Sequence, residues 1–297
     1  MSWPTQRMHS SSASKADFGF KDVDADEKER LVREVFSSVA DNYDVMNDFM
    51  SMGAHRLWKD ELITMMGYSA AAEVEKQMAS SSAIRVPRHL DVAGGTGDIA
   101  FRSIKSLKQA YGGSSSFIRN SETGEIGSDE ERQVVVCDIN PEMLAVGASR
   151  AEGAIGPDLT SHVGFIEGNA EKLPFPDNSF DLYTIAFGLR NVTNKDVALK
   201  EAARVLRPGG RMMILEFSHL TNPALQKAYD SYSFNVIPKI GEVIANDAAS
   251  YQYLVESIRR FPKQEELKDM MTEAGFEFVS YKNMTFGVVC VHSGFVL

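Results

Sequence analysis

The chain has 297 residues, 43% of them hydrophobic, enough for one large α/β domain or two small ones around a buried core. Its formal net charge of -10 argues against nucleic acid as a partner, because phosphate affinity comes from clustered Lys and Arg. No apolar run is long enough to span a bilayer. The six histidines are scattered without metal-ligand spacing, so no metal site is expected.

Residues 1–16 carry Arg7, Lys15, five serines and no acid. Composition fits a disordered tail and the remnant of a mitochondrial transit peptide equally, over residues 1–23. Leu31, Val32, Val35, Phe36 and Val39 recur at helical spacing, which predicts a helix over 24–39 with Asp24 or Asp26 as N-cap. Helix continues from Tyr43 to Met66 with a break near Gly53, and the Ala- and Ser-rich stretch 69–83 reads as a spacer. Residues 24–83 form an N-terminal helical extension that either closes over a site as a lid or packs on the main domain.

From residue 84 onward strand and helix alternate. Strands are predicted at His89–Ala93, Val134–Asp138, Val163–Glu167, Phe180–Ala186 and Met212–Phe217. Helices are predicted at Asp98–Tyr111, from Pro141, and at Asn194–Leu206. Such alternation implies an α/β fold, a mostly parallel sheet with helices on both faces. Phe276–Asn283 and Gly287–Phe295 form a C-terminal hairpin, so one strand should run antiparallel to the rest. Residues 112–131, opened by Gly and Ser and closed by Asp129, Glu130 and Glu131, read as an exposed, mobile insertion. Cys137 and Cys290 lie in apolar strand runs and read as buried thiols of a reducing compartment, not a disulfide or a nucleophile.

The chemistry concentrates in Leu90-Asp91-Val92-Ala93-Gly94-Gly95-Thr96-Gly97-Asp98, a strand end, a glycine-rich turn and a helix start. Ligands of open α/β sheets bind at the carboxyl ends of strands, where this turn lies. Gly95-Thr96-Gly97 with Ala100 also fits the weak dinucleotide fingerprint, which makes an NAD oxidoreductase a rival. Asp91 and Asp98 oppose it, since they would face a pyrophosphate. They suit the sulfonium and ammonium of S-adenosylmethionine (AdoMet), whose carboxylate suits backbone N–H groups. Asp138, at the next strand end, stands where a ribose-binding acid is expected and separates neither ligand. Asn169 and the Ala170 N–H, in Gly168–Phe175, can read an adenine edge or form an ordinary turn. Pro208-Gly209-Gly210 reads as a turn between helix and strand.

These pieces, in this order, resemble a class I AdoMet-dependent methyltransferase. Two longer stretches narrow the resemblance. Tyr43 through Ser51, continuing to His55 and Trp58, resembles the N-terminal signature of the ubiquinone/menaquinone biosynthesis C-methyltransferase family. Arg204 through Gly210 with Leu215-Glu216-Phe217-Ser218 resembles its second signature. Phe187–Val192 and Tyr251–Ile258 are similar to family sequence as well, the latter to the mitochondrial ubiquinone branch.

The resemblance implies a Rossmann-like seven-stranded sheet over 84–297. It implies AdoMet contacts at Thr96, Asp138, Asn169 and Ala170, to which the reading of the turn adds Asp91, Gly94, Gly95 and Gly97. The implied reaction is methylation of a ring carbon of a 2-methoxy-6-polyprenyl-1,4-benzoquinol. A bacterial demethylmenaquinol methyltransferase and a non-catalytic AdoMet-binding subunit are the alternatives. It further implies peripheral contact with the matrix face of the mitochondrial inner membrane, a multi-subunit ubiquinone-biosynthesis complex and a homodimer. Ala186 stands where the family often has Ser, and Arg207 replaces the usual Lys.

Carbon methylation is an in-line displacement that needs an electron-rich carbon, and a quinol ring gains that character when a hydroxyl loses its proton. The enzyme must align the carbon and stabilise the phenolate. Arg190 is the expected stabiliser, unless it only pairs with a helix carboxylate, and Asn191 the group that orients the ring oxygen. Tyr43, Asp44, Asn47 and His55 either close over the site as a lid or belong to helices that pack on the sheet, and Tyr43, Asn47 and Tyr232 are the substrate-binding candidates. Tyr232, Phe234, Val236, Ile237 and Ile240 are candidates for the isoprenoid tail channel, or else core.

Overall fold

A computed structural model describes residues 15–39, 51, 53–78, 85–112, 128–236, 238–239, 242 and 248–297. The expectations on Tyr43, Asp44, Asn47, Ile237 and Ile240, and on most of the 112–131 insertion, lie outside the described residues.

Nine strands are described: β1 (Lys15–Phe18), β2 (Lys21–Asp24), β3 (His89–Val92), β4 (Val134–Asp138), β5 (Val163–Glu167), β6 (Phe180–Ala186), β7 (Leu206–Phe217), β8 (Glu277–Met284) and β9 (Val289–Phe295). The described helices are α1 (Ala25–Val39), α2 (Ala54–Met66), α3 (Tyr68–Met78), α4 (Asp98–Tyr111), α5 (Pro141–Ile155), α6 (Pro157–Thr160), α7 (Lys195–Val205), α8 (Pro223–Asn235), α9 (Ala248–Arg260) and α10 (Gln264–Glu273).

Seven strands form one sheet in the order β5-β4-β3-β6-β7-β9-β8. All pairs are parallel until β9, which runs antiparallel to both β7 and β8. Strand periodicity sends alternate residues to opposite faces. Val134 and Val136 join the core under α2–α5 and α9, with Met213 and Leu215 beside them. Val135 and Cys137, with Met212 and Ile214, join the core under α7 and α10. Both cysteines are buried and free, and burial pushes the Cys290 thiol up to about 12 and the Cys137 thiol higher still.

Three expectations are corrected. Residues 15–24 are not a disordered tail but an antiparallel hairpin, β1–β2, turning at Gly19 with φ +59°. Much of the presumed spacer is helix α3, where Tyr68 and Ala72 pack into the core, because Ala, Glu, Lys and Gln favour helix. Pro208-Gly209-Gly210 lies within β7 as an irregularity between the Phe180–Leu206 and Leu182–Arg211 pairs, anchored by the Gly209 N–H to Val296 O at 2.7 Å. At the end of the insertion Asp129 and Glu131 are exposed, as expected; Asp129–Glu131 is a 3-10 turn capped by Ser128, and it packs so closely on Gly164 that a Cβ there would overlap the Asp129 carbonyl.

Candidate active site

One cavity opens at the carboxyl ends of β3–β6. Its floor is Asp91 to Thr96, its sides are Asp138 to Asn140 and Gly168 to Glu171, and its far wall is Ala186 to Gly188 with Asn191 to Thr193. Glu29, Val32 and Arg33 of α1 and Lys59 of α2 cover it. Of the residues expected at a cofactor, Asp91, Gly94, Gly95, Thr96, Asp138, Asn169 and Ala170 line this one cavity. Gly97 instead supplies the turn into α4, with φ +83°.

The turn is built by close approach. A Cβ on Gly94 would stand 2.8 Å from Val136 Cγ1 and 2.9 Å from both the carbonyl and Oδ2 of Asp91, so only glycine passes. The Gly95 N–H donates to Asp138 Oδ2 at 2.9 Å and the Asn140 N–H to Oδ1 at 2.8 Å, which ties the turn to the end of β4. Asn140 then caps α5 through Glu142 and Met143 N–H, with Pro141 at the first helical position. Asn169 Oδ1 accepts from the Glu171 N–H at 2.8 Å, so its amide NH2 remains for a ligand. Ala93 (φ +50°) and Phe187 (φ +56°) hold left-handed backbone at neighbouring strand ends, a concentration of strain typical of functional sites.

The acids differ sharply. Asp98 is committed to protein cations: Lys59 Nζ at 2.8 Å and Arg102 Nε at 2.9 Å, which hold its carboxyl below the usual range despite burial. It is not the open acid that the sequence alone suggests. Asp91 is fully buried, accepts from the Thr184 hydroxyl at 2.6 Å, and has no hydrogen-bond partner at Oδ2 among the described residues. Burial pushes its carboxyl up to about 7, with Asp98 and Asp138 adding to the rise. Asp138 is raised too, by burial, against the backbone N–H groups that favour its charge.

An orphaned buried carboxylate oxygen, two further acceptors on Asp138 and a backbone cradle fit a ligand that brings its own cation and no phosphate. AdoMet meets that description and a dinucleotide does not.

At the far wall the structure departs from expectation. Arg190 does not line the cavity. It is buried on the 3-10 turn Leu189–Asn191, with Nη1 2.9 Å from Glu216 Oε1 of β7 and also donating to the Phe187 carbonyl. The carboxylate partner is on a strand, and it is what allows the guanidinium to be buried. The same Glu216 accepts from the Arg190 and Phe217 N–H groups at 3.3 and 2.9 Å. Asn191 does line the cavity, and its Oδ1 accepts from the Tyr253 hydroxyl at 3.0 Å.

Tyr232 is half-buried against the core and Phe234 packs 5.9 Å from the Phe20 ring, while Val236 is exposed, so none of the three lines the cavity. His55 is buried on α2 beside a separate groove between α2 and α4.

Residue typing missed the covering elements. Lys28 has no exposed surface and donates to Asp17 Oδ1 at 3.1 Å and to the Val192 carbonyl at 3.2 Å, pinning the hairpin and α1 against the far wall. Phe18 stacks on Tyr253 with ring centroids 4.2 Å apart. No local signal marks these pairs, since their partners are distant in sequence. Among the described residues no group of three or more His, Cys, Asp or Glu could hold a metal ion, and no helix is long and apolar enough to cross a membrane.

The fold and cavity together define a methyltransferase of the AdoMet-dependent class. A profile of the ubiE/COQ5 methyltransferase family matches residues 23–296, and the chain belongs to that family. It is 50% identical to a zebrafish (Danio rerio) protein named 2-methoxy-6-polyprenyl-1,4-benzoquinol methylase, mitochondrial, over 94% of this chain and 84% of that one. The human protein of the same name is 48% identical, over 96% and 85%. A bacterial ubiquinone/menaquinone biosynthesis C-methyltransferase UbiE, from Dinoroseobacter shibae, is 48% identical over 98% of this chain and all of its own. Among solved structures, a SAM-dependent methyltransferase from Thermotoga maritima overlaps 89% of this chain at 18% identity and a TM-score of 0.48.

Proposed function

We propose that the chain methylates a ring carbon of a polyprenyl benzoquinol, converting a 2-methoxy-6-polyprenyl-1,4-benzoquinol to its 5-methyl product, in mitochondria and at the matrix face of the inner membrane. The names of the relatives support the substrate and the compartment. A quinone-biosynthesis complex and a homodimer belong to the same reading.

AdoMet supplies an electrophilic methyl group when bound. Asp91 takes its ammonium, the Gly94–Thr96 backbone its carboxylate, Asp138 its ribose, and Asn169 with Ala170 its adenine.

The observation that carries the acceptor assignment is the far wall. Tyr253 occupies the carbonyl of Asn191, so the Asn191 NH2 is the polar group offered to a ring oxygen. Amide donors strengthen as charge grows on that oxygen, which favours the phenolate that activates the neighbouring carbon. Phe187 supplies an apolar wall for the ring. Arg190 acts through the turn: its bonds to Glu216 and the Phe187 carbonyl place Phe187 and Asn191. Tyr43 and Asn47 belong to the substrate side in this reading, and Tyr232, packed against the core, does not.

The test is AdoMet with a short-tailed demethyl benzoquinol, followed by mass analysis. A product heavier by one methylene on a ring carbon supports the proposal. Turnover confined to a demethylnaphthoquinol would assign the menaquinone reaction instead, and AdoMet binding without turnover on either would leave a binding subunit.

A further inference from the structure

Behind the donor cavity five buried polar side chains form one unbroken row. The Tyr68 hydroxyl is 2.9 Å from Ser103 Oγ, Ser103 Oγ 2.8 Å from His89 Nδ1, His89 Nε2 2.7 Å from Thr184 Oγ1, and Thr184 Oγ1 2.6 Å from Asp91 Oδ1. His89, Ser103, Thr184 and Asp91 have no exposed surface and Tyr68 has 4%. The residues come from α3, α4, β3 and β6, so the row crosses from the helical layer through the centre of the sheet to the cavity floor.

With Asp91 ionised, hydrogen-bond chemistry fixes the direction of every link. Asp91 Oδ1 accepts, so the single Thr184 proton is spent on it and Thr184 Oγ1 must accept from His89 Nε2–H. Burial keeps the imidazole neutral, its pKa pushed down to about 3, so Nδ1 carries a lone pair and accepts from the Ser103 hydroxyl. Ser103 Oγ then accepts from the Tyr68 hydroxyl. All four protons point toward Asp91, and donors aligned in one sense polarise one another.

The row ends on the cavity carboxyl that keeps an oxygen without a hydrogen-bond partner among the described residues, with no protein cation paired to it there. Lys59 and Arg102 are held by Asp98 of α4, and Asp138 of β4 accepts one backbone N–H on each oxygen. Asp91 has Thr184 on one oxygen, the Ala100 N–H favouring its charge, and an orphaned Oδ2 beside Gly94.

We propose that Tyr68, Ser103, His89 and Thr184 are positioning residues for the methyl donor, a row of oriented hydrogen bonds that holds Asp91 and stabilises its negative charge for the donor's ammonium group. This rests on the assignment of Asp91 to that ammonium. The row replaces a fixed counter-ion: a lysine in that position would satisfy Asp91 permanently and compete with the ligand, whereas neutral donors leave the charge open to an incoming cation. The proposal also ties donor binding to helix α3, whose first residue is Tyr68, immediately after the Gly67 that ends α2.

The test is calorimetric titration of the full chain with S-adenosylhomocysteine, which carries the same ammonium, between pH 5 and 7.5. Thr184→Val removes the last donor and keeps the shape, Thr184→Ser keeps the hydroxyl, and Tyr68→Phe removes only the first donor.

Thr184→Val is expected to weaken binding about tenfold or more at pH 7, the scale of a lost hydrogen bond to a charged group. The pH at which affinity stops rising should move upward. Thr184→Ser should stay within about threefold of wild type, and Tyr68→Phe should weaken binding by about two- to threefold through polarisation alone. Wild-type affinity and pH profile in a folded Thr184→Val protein would overturn the proposal, as would equal losses in the Val and Ser variants, which would trace the effect to packing. If Thr184→Val does not fold, an unchanged affinity and pH profile in Tyr68→Phe overturns it. Asp91→Asn separates the two levels. Unchanged affinity there refutes the ammonium assignment itself, whereas a loss there without one in Thr184→Val refutes only the row.

Discussion

The two ends of the cavity handle charge in opposite ways. The end on β3–β5, proposed for the donor, keeps a buried carboxyl with an oxygen unpartnered among the described residues and raises its pKa. The end on β6 and β7, proposed for the acceptor, buries a full ion pair, Arg190–Glu216, and shows the cavity a neutral amide. An open carboxyl suits a ligand that arrives as a cation. A neutral amide on a rigid turn suits a ligand that becomes anionic only as it reacts, because it does not compete for resting anions.

The largest effect that could break this comparison concerns the pair. Arg190→Ala leaves Glu216 buried with no countercharge, which costs about 3–5 kcal/mol for such pairs. The melting temperature should fall by many degrees and turnover should vanish. S-adenosylhomocysteine affinity, measured well below the melting point, should change little. Replacing Arg190 and Glu216 together with Met and Leu should restore most of the stability and none of the turnover. A double variant that recovers turnover would show that the pair does not place Phe187 and Asn191.

Next in size is the glycine turn. Gly94→Ala must displace Val136 or the Asp91 carboxyl, and overpacking of that kind costs about 1–3 kcal/mol. The loss should appear chiefly as weaker donor binding, with the thermal shift induced by S-adenosylhomocysteine reduced. An unchanged ligand-induced shift would show that Gly94 is only a turn residue.

The donor end also carries a pH signature with a definite sign. Asp91 is raised from 3.8 to about 7 in the folded, ligand-free protein. Its protonation therefore stabilises the free fold fully at low pH, and that stability is lost as pH rises through about 7. A cation beside it lowers the pKa, so donor binding releases a proton and affinity climbs between pH 5 and 7, then levels off. Asp98, Asp138 and Lys59 surround the group, but Asp98 is already held below its usual range and titrates outside this window. Asp91→Asn should remove the part of the profile that Asp91 contributes, leaving any rise from Asp138, whose carboxyl burial also raises. A flat profile in the wild type would mean that Asp91 stays in one protonation state throughout.

The same contrast explains what was legible in the sequence. The donor end depends on a contiguous turn between a strand and a helix, and the strands at 134–138, 163–167 and 180–186 follow from apolar runs bounded by turns, so order and boundaries emerge from local pattern. The acceptor end depends on pairs remote in sequence: Arg190 with Glu216, Asn191 with Tyr253, Lys28 with Val192. Residue typing marks Arg190 as a candidate but is silent on its partner, and a guanidinium reads as a site group until its countercharge is known. The hairpin at 15–24 escaped for a related reason, since strands of four residues carry too little alternation to register. Helix α3 was hidden by composition, because Ala and Ser dominate both spacers and small-faced helices.

The smallest expected effect tests whether the N-terminal cover is separable from the acceptor wall it touches. Lys28→Met removes a buried ammonium but strands little, since Asp17 keeps Lys195 Nζ at 3.9 Å and the Val192 carbonyl keeps that same Nζ at 3.2 Å. A buried charge replaced by an apolar chain of similar volume is close to neutral for global stability, about 1 kcal/mol or less. The local effect should be larger. Amides of 15–39 should exchange several-fold faster while those of β3–β7 do not, and KM for the quinol should rise with S-adenosylhomocysteine affinity unchanged. If the core amides quicken equally, hairpin and α1 are part of the same cooperative unit as the sheet. The cover would then be fixed architecture, and the acceptor would have to enter the cavity by another face.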